Sequence, residues 1–168
     1  MAKTKKVPEI RFKGFDGEWE ENIAEAVFSS YVDKNHPLLP VLSATQEQGM
    51  IKRDTLDFNI SHDIKNEVTY KRVLPGQFVI HLRSFQGGFA HSSIEGITSP
   101  AYTVIQFKET DKHNHLFWKY IFNSDFFIRR LETVTYGIRD GKSVSYKDFL
   151  SLTFKYSKQK EQISIGQF

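Results

Sequence analysis

Apolar residues come in short bursts over the first two-thirds of the chain and hold a sustained helical spacing only after about residue 114. In "VLSATQEQGMIKR" two apolar runs flank a polar connection, which predicts two short strands. In "YKRVLPGQFVIHL" Pro75-Gly76 sits between two apolar runs. Proline fixes the first turn position and glycine accepts positive φ at the second, so this segment predicts a hairpin. "SPAYTVIQFK" predicts a further strand, ended by the charged stretch Lys108 to Lys112, a solvated loop. Nearer the N-terminus, Gly14 and Gly17 mark turns, and Asp16 suits a turn or cap. The spacing of Ile23, Ala24 and Val27 predicts a short helix from about Glu20 to Phe28. Between Tyr31 and Pro40, His36-Pro37 and Leu39-Pro40 disfavour helix. The polar segment Asp54 to Glu67 predicts no definite element.

From Asn114 to about Thr133 the pattern changes. Phe117, Tyr120 and Ile121, then Phe127, Ile128 and Leu131, recur at helical spacing, and these side chains are expected to face a core. Ser124 or Asp125 would cap a second helix after a break near Asn123. A polar glycine loop, "TYGIRDGKSVS", then leads into a turn of helix from Ser145 and a strand ending near Tyr156. Ile163, Ile165 and Phe168 suggest the beginning of a last helix. Strands first and helices late predict an α+β domain with a mixed, mainly antiparallel twisted sheet, rather than regular βαβ alternation.

A length of 168 residues fits one domain with a substantial core. The apolar fraction is only 39%, but 15 Phe and 7 Tyr supply bulky interior material and argue against general disorder. The absence of cysteine excludes disulfides, thiol nucleophiles and thiolate metal sites, and fits a cytoplasmic location. No apolar stretch approaches a membrane span, and no apolar core follows the basic "MAKTKK" as a secretory signal would require. Lys and Arg outnumber Asp and Glu by 23 to 20, a balance that permits a nucleic-acid partner without demanding one.

Catalytic patterns are missing. The chain has no G-x-S-x-G elbow, no P-loop and no H-E-x-x-H. The histidines are scattered, so no metal site is expected, and Asp16, Glu18, Glu20 and Glu21 read as a solvated patch that starts a helix. His81 and His91 are placed so that they could meet across a hairpin. Ser99-Pro100-Ala101-Tyr102 resembles the tetrapeptide of amino-methylating DNA methyltransferases, but its third position is alanine. No glycine-rich loop in this chain suits S-adenosylmethionine. An enzyme is not expected.

Two polar loops remain, "HLRSFQGGFAHSS" and "TYGIRDGKSVS". Arginine can read guanine and glutamine adenine through paired hydrogen bonds, while lysine, serine and tyrosine suit phosphate. The candidate DNA contacts are therefore Arg83, Ser84, Gln86, Gly87, Gly88 and His91 in the first loop. Tyr136, Arg139, Lys142 and Ser143 are the candidates in the second. Phe85 and Phe89 are expected to anchor the first loop in the core.

The chain also resembles one half of the specificity subunit of type I restriction–modification systems. "VPEIRFKGFDGEWEE" (Val7 to Glu21) is similar to the family's recurrent opening segment, P-x-x-R-F-x-G-F-x-G-x-W. The stretch Tyr70 to Phe107 carries a comparable proline-glycine turn, glycine loop and G-I-x-S-P-x-Y-x-V segment. Gly137 to Phe168 resembles the exit from a target-recognition domain into the conserved spacer helix. The order of the three pieces is more specific than any one of them. Two departures are visible: only one recognition half is present, and Ser157 and Lys158 stand where the family often has prolines.

The resemblance implies a non-catalytic chain that recognises double-stranded DNA. It would direct methylation subunits, and a restriction subunit where one joins, to one part of a bipartite target. A target-recognition domain would span residues 1–156, with residues 157–168 beginning the spacer helix or assembly region. A second half-specificity chain would be a further partner. S-adenosylmethionine, ATP and Mg2+ would belong to partner subunits, and no cofactor to this chain. Phe154, Tyr156, Ile163 and Phe168 are the candidate subunit contacts, since an incomplete amphipathic helix leaves an apolar side uncovered. The competing reading is a non-catalytic protein-interaction module with no direct DNA contact.

Overall fold

A computed structural model describes residues 7–53, 64–81, 88–134 and 145–168. The elements run β1 (Glu20–Ile23), α1 (Ala24–Val27), β2 (Phe28–Tyr31), β3 (Leu42–Ala44) and β4 (Met50–Lys52). They continue with α2 (Ile64–Glu67), β5 (Lys71–Val73), β6 (Phe78–Ile80), β7 (Phe89–His91), β8 (Gly96–Thr98) and β9 (Thr103–Phe107). A 3-10 turn at Thr110–Lys112 precedes α3 (His115–Asn123), α4 (Asp125–Val134), α5 (Tyr146–Leu150), β10 (Thr153–Tyr156) and α6 (Gln159–Gln167). The fold is α+β, with antiparallel sheets and short helices, as the sequence pattern predicts.

A four-stranded sheet in the order β2-β9-β6-β7 forms the centre, and three two-stranded ladders, β1-β10, β3-β4 and β5-β8, surround it. Every described ladder is antiparallel, and a lone parallel bridge joins Val41 to Ile97. Because side chains alternate across a strand, β6 sends Phe78 and Ile80 to one face and Val79 to the other. Phe78 and Ile80 join the large aromatic core with Trp118, Phe122 and Phe149, whereas Val79 joins Leu42, Met50, Val73 and Val104 in a smaller one. Both faces of this strand are covered, which explains its uninterrupted apolar run. Trp118 is fully buried in the larger core, with the Phe28 ring 5.1 Å and the Phe154 ring 5.4 Å away.

Three expectations need correction. The predicted helix from Glu20 to Phe28 shrinks to the single turn Ala24–Val27, with strands on both sides. β1 is held extended by a partner more than a hundred residues away: Glu20 lies opposite Tyr156 and Ile23 opposite Thr153. Asn22 Nδ2 also donates to the Tyr156 hydroxyl at 2.6 Å. Long-range pairing overrides the local helical spacing.

The Pro75-Gly76 turn exists, but the hairpin does not. Gln77 N–H donates to Leu74 C=O at 3.1 Å, and Gly76 has φ of 87°, a conformation that favours glycine. The strands it joins lie in different sheets, β5 pairing with β8 and β6 with β7 and β9. The third correction is Tyr120, which is 71% exposed. "HLFWKYIF" is aromatic almost all round, so spacing alone leaves the inward face open. Phe117, Trp118 and Phe122 turn inward instead.

The late helices follow their sequence signals closely. Asn114 Oδ1 accepts from the N–H groups of Leu116 and Phe117 to cap α3. Ser124 Oγ accepts from Phe127 N–H, and Ser145 Oγ from Asp148 N–H, at the starts of α4 and α5. α6 packs against α3 through the fully buried Gln162, whose side chain accepts from Asn114 N–H at 2.8 Å and donates to Lys112 and Ser157 carbonyls.

Candidate nucleic-acid interface

The first candidate loop leaves the sheet after β6 and returns at β7. Its base is closed by His81 N–H donating to Gly88 C=O at 2.6 Å. Phe89, the first residue of β7, is 1% exposed and is packed by the rings of Phe122, Phe127 and Phe149 at 5.0, 5.2 and 5.0 Å. The expectation that Phe89 anchors this loop in the core is met. Arg83, Ser84, Gln86 and Gly87 lie outside the described residues, as does Phe85.

The second candidate loop runs from the end of α4 to the start of α5. Tyr136, Arg139, Lys142 and Ser143 also lie outside the described residues. Its two flanks are firmly placed. Phe127 and Leu131 on α4 and Phe149 on α5 are buried in the large core, and Phe127 and Phe149 are the residues that touch Phe89. The stems of both loops thus converge on one aromatic cluster. Nothing in the local sequence around either loop announces that convergence, because it depends on packing between α4, α5 and β7.

His91 sits on β7 opposite Phe78, while His81 is opposite Gly88, so the two histidines do not meet. His91 instead shares a hydrogen bond of 2.8 Å with His115, its Nε2 facing His115 Nδ1, and the rings stack with centroids 5.1 Å apart. Burial first, and then the neighbouring His115 and Lys119, push the His91 pKa down to about 4. It is therefore neutral at physiological pH, and only 8% of it is exposed. His115, the partner that sequence spacing did not reveal, is also shifted downward, chiefly by burial. His113 Nδ1 accepts from Trp118 Nε1 at 3.2 Å, and burial pushes its pKa to about 4.

Ser99 to Tyr102 form a turn leading into β9. Tyr102 N–H donates to Ser99 C=O at 3.1 Å, and Ala101 N–H to Ser99 Oγ at 3.2 Å. The tetrapeptide is accounted for as a connection between β8 and β9. Among the described residues no group of three or more His, Cys, Asp or Glu is placed to hold a metal ion.

Of the four candidate subunit contacts, Phe154 and Tyr156 are buried in this chain's own core at 4% and 6% exposure. Ile163 is half-buried on α6, and Phe168 is 99% exposed, its ring 5.5 Å from that of Phe12. Sequence reasoning missed a charged cluster beside β5. Arg72 contacts Glu95 at 2.5 Å and Asp33 at 3.3 Å, and His36 contacts Asp33 at 2.8 Å. Asp33, Arg72 and Glu95 are far apart in sequence; the β5-β8 ladder brings Glu95 to Arg72, and the Arg72 N–H donating to Asp33 C=O at 2.7 Å brings in Asp33.

No protein-family model and no curated protein matches this chain. Solved structures share its fold, and two of them illustrate the likeness. One is the HsdS subunit from Thermoanaerobacter tengcongensis, at a TM-score of 0.56 and 14% identity over 92% of this chain. The other is a chain from a structure described as the basis of complex assembly and conformational transition of the type I R-M system, also at 0.56, 14% and 92%. This chain spans 37% and 38% of their respective lengths. At that identity the likeness is one of fold, and it covers nearly the whole chain.

Proposed function

We propose that this chain is a target-recognition half of a type I restriction–modification specificity subunit, acting in the cytoplasm. In this reading it binds one part of a bipartite double-stranded DNA target, catalyses nothing itself and directs partner methylation and restriction subunits to that site. Residues 1–156 form the recognition domain, and residues 157–168 begin the spacer helix. The observation that carries the reading is the likeness to HsdS over 92% of the chain, joined to the three family-like segments in their family order. The shared aromatic stem of the two loops supports it further, since a rigid base is what a pair of reading loops requires.

The test is selection from a randomised duplex library by the complete assembly containing this chain. Enrichment of one half-site that changes when this chain is exchanged for another supports the reading. Enrichment indifferent to the exchange removes it. The purified chain incubated with DNA and S-adenosylmethionine is expected to transfer no methyl group.

A second reading, a protein-interaction module without DNA contact, draws on exposed Ile10, Tyr120 and Phe168, at 93%, 71% and 99%. Failure to bind DNA both alone and with a methylation subunit would favour it. Deleting residues 157–168 is a poor probe of either reading, because Gln162 and the buried Glu161 would be lost with it. Phe168→Asp is the cleaner change, expected to weaken subunit association while leaving the domain folded.

A further inference from the structure

Between α4, the β1-β10 ladder and Trp19 lies a cavity of about 500 Å³. Its apolar walls include Ile121, Phe126, Phe127 and Phe154. Phe127 and Phe154 are core residues at 1% and 4% exposure, so these walls are fixed. Phe126 is different: its ring is 71% exposed beside the opening, where the chain's own residues leave it uncovered. The volume falls in the usual range for sites that enclose a small organic molecule.

The cavity's charge is unbalanced. Glu21 and Lys155 line it and contact each other at 3.8 Å. Arg130 lines it too, and among the described residues no carboxylate pairs with it. Its Nη1 donates to Thr153 C=O, and its guanidinium carbon lies 5.6 Å from the Phe154 ring centroid and 5.7 Å from that of Phe126. Two aromatic rings therefore hold the guanidinium in place, while its remaining N–H donors have no acceptor among the described residues. Burial lowers the Arg130 pKa, which is the signature of a cation that gains too little from its surroundings. A half-buried cation of this kind favours an incoming anion, and a planar fork favours a carboxylate.

We propose that this cavity binds a small carboxylate whose body is aromatic or branched aliphatic. The carboxylate meets the free N–H groups of Arg130, and the apolar body lies along Phe126, Ile121 and Trp19. The site is independent of DNA reading and would stand if that reading failed.

The two tryptophans, Trp19 and Trp118, give separable indole N–H signals, one at the cavity and one in the sealed core. Titration of 15N-labelled protein with 3-phenylpropionate is expected to move the Trp19 signal saturably and leave Trp118 in place. The uncharged 3-phenylpropionamide is expected to bind ~10-fold more weakly, as the loss of a charge-assisted contact requires. Phe126→Ala, at an exposed position, keeps the fold and is expected to weaken binding by several-fold. Arg130→Gln should abolish the preference for the acid over the amide. If that variant does not fold, the acid–amide comparison and Phe126→Ala decide the matter. The absence of a saturable shift, equal binding of acid and amide, or unaltered binding by Phe126→Ala would each overturn the proposal.

Discussion

The Arg11 guanidinium holds the Glu161 carboxylate through two hydrogen bonds of 2.8 Å each, spanning 150 positions of the chain. Further bonds to Gly17 and Asp16 carbonyls fold the N-terminal segment around the same guanidinium. Glu161 is 3% exposed, so this contact fixes α6 and the N-terminal segment to each other. Removing the arginine leaves a buried carboxylate unpaired, which costs more than the loss of a surface pair. Arg11→Ala is expected to lower Tm by several degrees, and Arg11→Lys to restore only part, because an ammonium lacks the planar fork. Differential scanning calorimetry of the three proteins checks this, and an unchanged Tm in Arg11→Ala refutes it.

Stability should fall in mildly acidic solution. His91 and His113 have folded-state pKa values of about 4, and His115 is also lowered, while an unfolded histidine titrates near 6.5. Falling pH therefore protonates the unfolded chain first. Their contribution is complete above about pH 6.5 and is lost as pH drops from there toward about 4. The loss should be on the order of 3 kcal/mol for each of His91 and His113. Asp33, held below its ordinary value chiefly by its hydrogen bond to His36, acts at still lower pH. Urea midpoints measured across this range should fall steadily, and less steeply in His91→Gln. A flat profile would contradict the neutral His91–His115 pair.

Gly49 cannot accept a side chain. It has φ of 70°, and a Cβ built there would lie 2.2 Å from the His91 carbonyl oxygen. The obstacle is backbone, which cannot swing aside. Gly49→Ala is expected to cost about 2 kcal/mol or more, combining left-handed strain with the collision. Chemical denaturation measures this directly, and a cost under about 0.5 kcal/mol would show that the turn relaxes freely.

The proposed reading head has its own signature. Within the complete assembly, Arg83→Ala is expected to reduce discrimination between cognate and altered targets by about 1–3 kcal/mol, the worth of a bidentate base contact. Lys142→Ala should instead weaken binding to all duplexes alike and make it less sensitive to salt. Binding titrations at several salt concentrations separate the two outcomes. A sequence preference untouched by both Arg83→Ala and Gln86→Ala would move base reading elsewhere.

Legibility in the sequence follows the range of the interactions. Asn114, Ser124 and Ser145 act on N–H groups within three residues, so the starts of α3, α4 and α5 could be read directly from their neighbourhoods. β1 could not, because its extended state depends on β10. The Leu74–Gln77 turn was visible for the same local reason, but the separate destinations of β5 and β6 are set by β8 and β9. At the candidate interface, Phe89 showed its anchoring role as a bulky residue beside a glycine loop. The stacking of His91 on His115 and the gathering of Phe127 and Phe149 around Phe89 require the assembled core. Tyr120 was misplaced because its helix offers aromatic rings on several sides.

The pairing of β1 with β10 sets an order on biosynthesis. Glu20–Ile23 leaves the ribosome well before its ladder partner, Thr153–Tyr156, which is made more than a hundred residues later. Trp118 likewise waits for Phe154 and Tyr156 before its surroundings close. A nascent chain must therefore carry an open, ring-rich interior until Tyr156 has been made. Pairings this distant also slow refolding relative to helical domains of similar size.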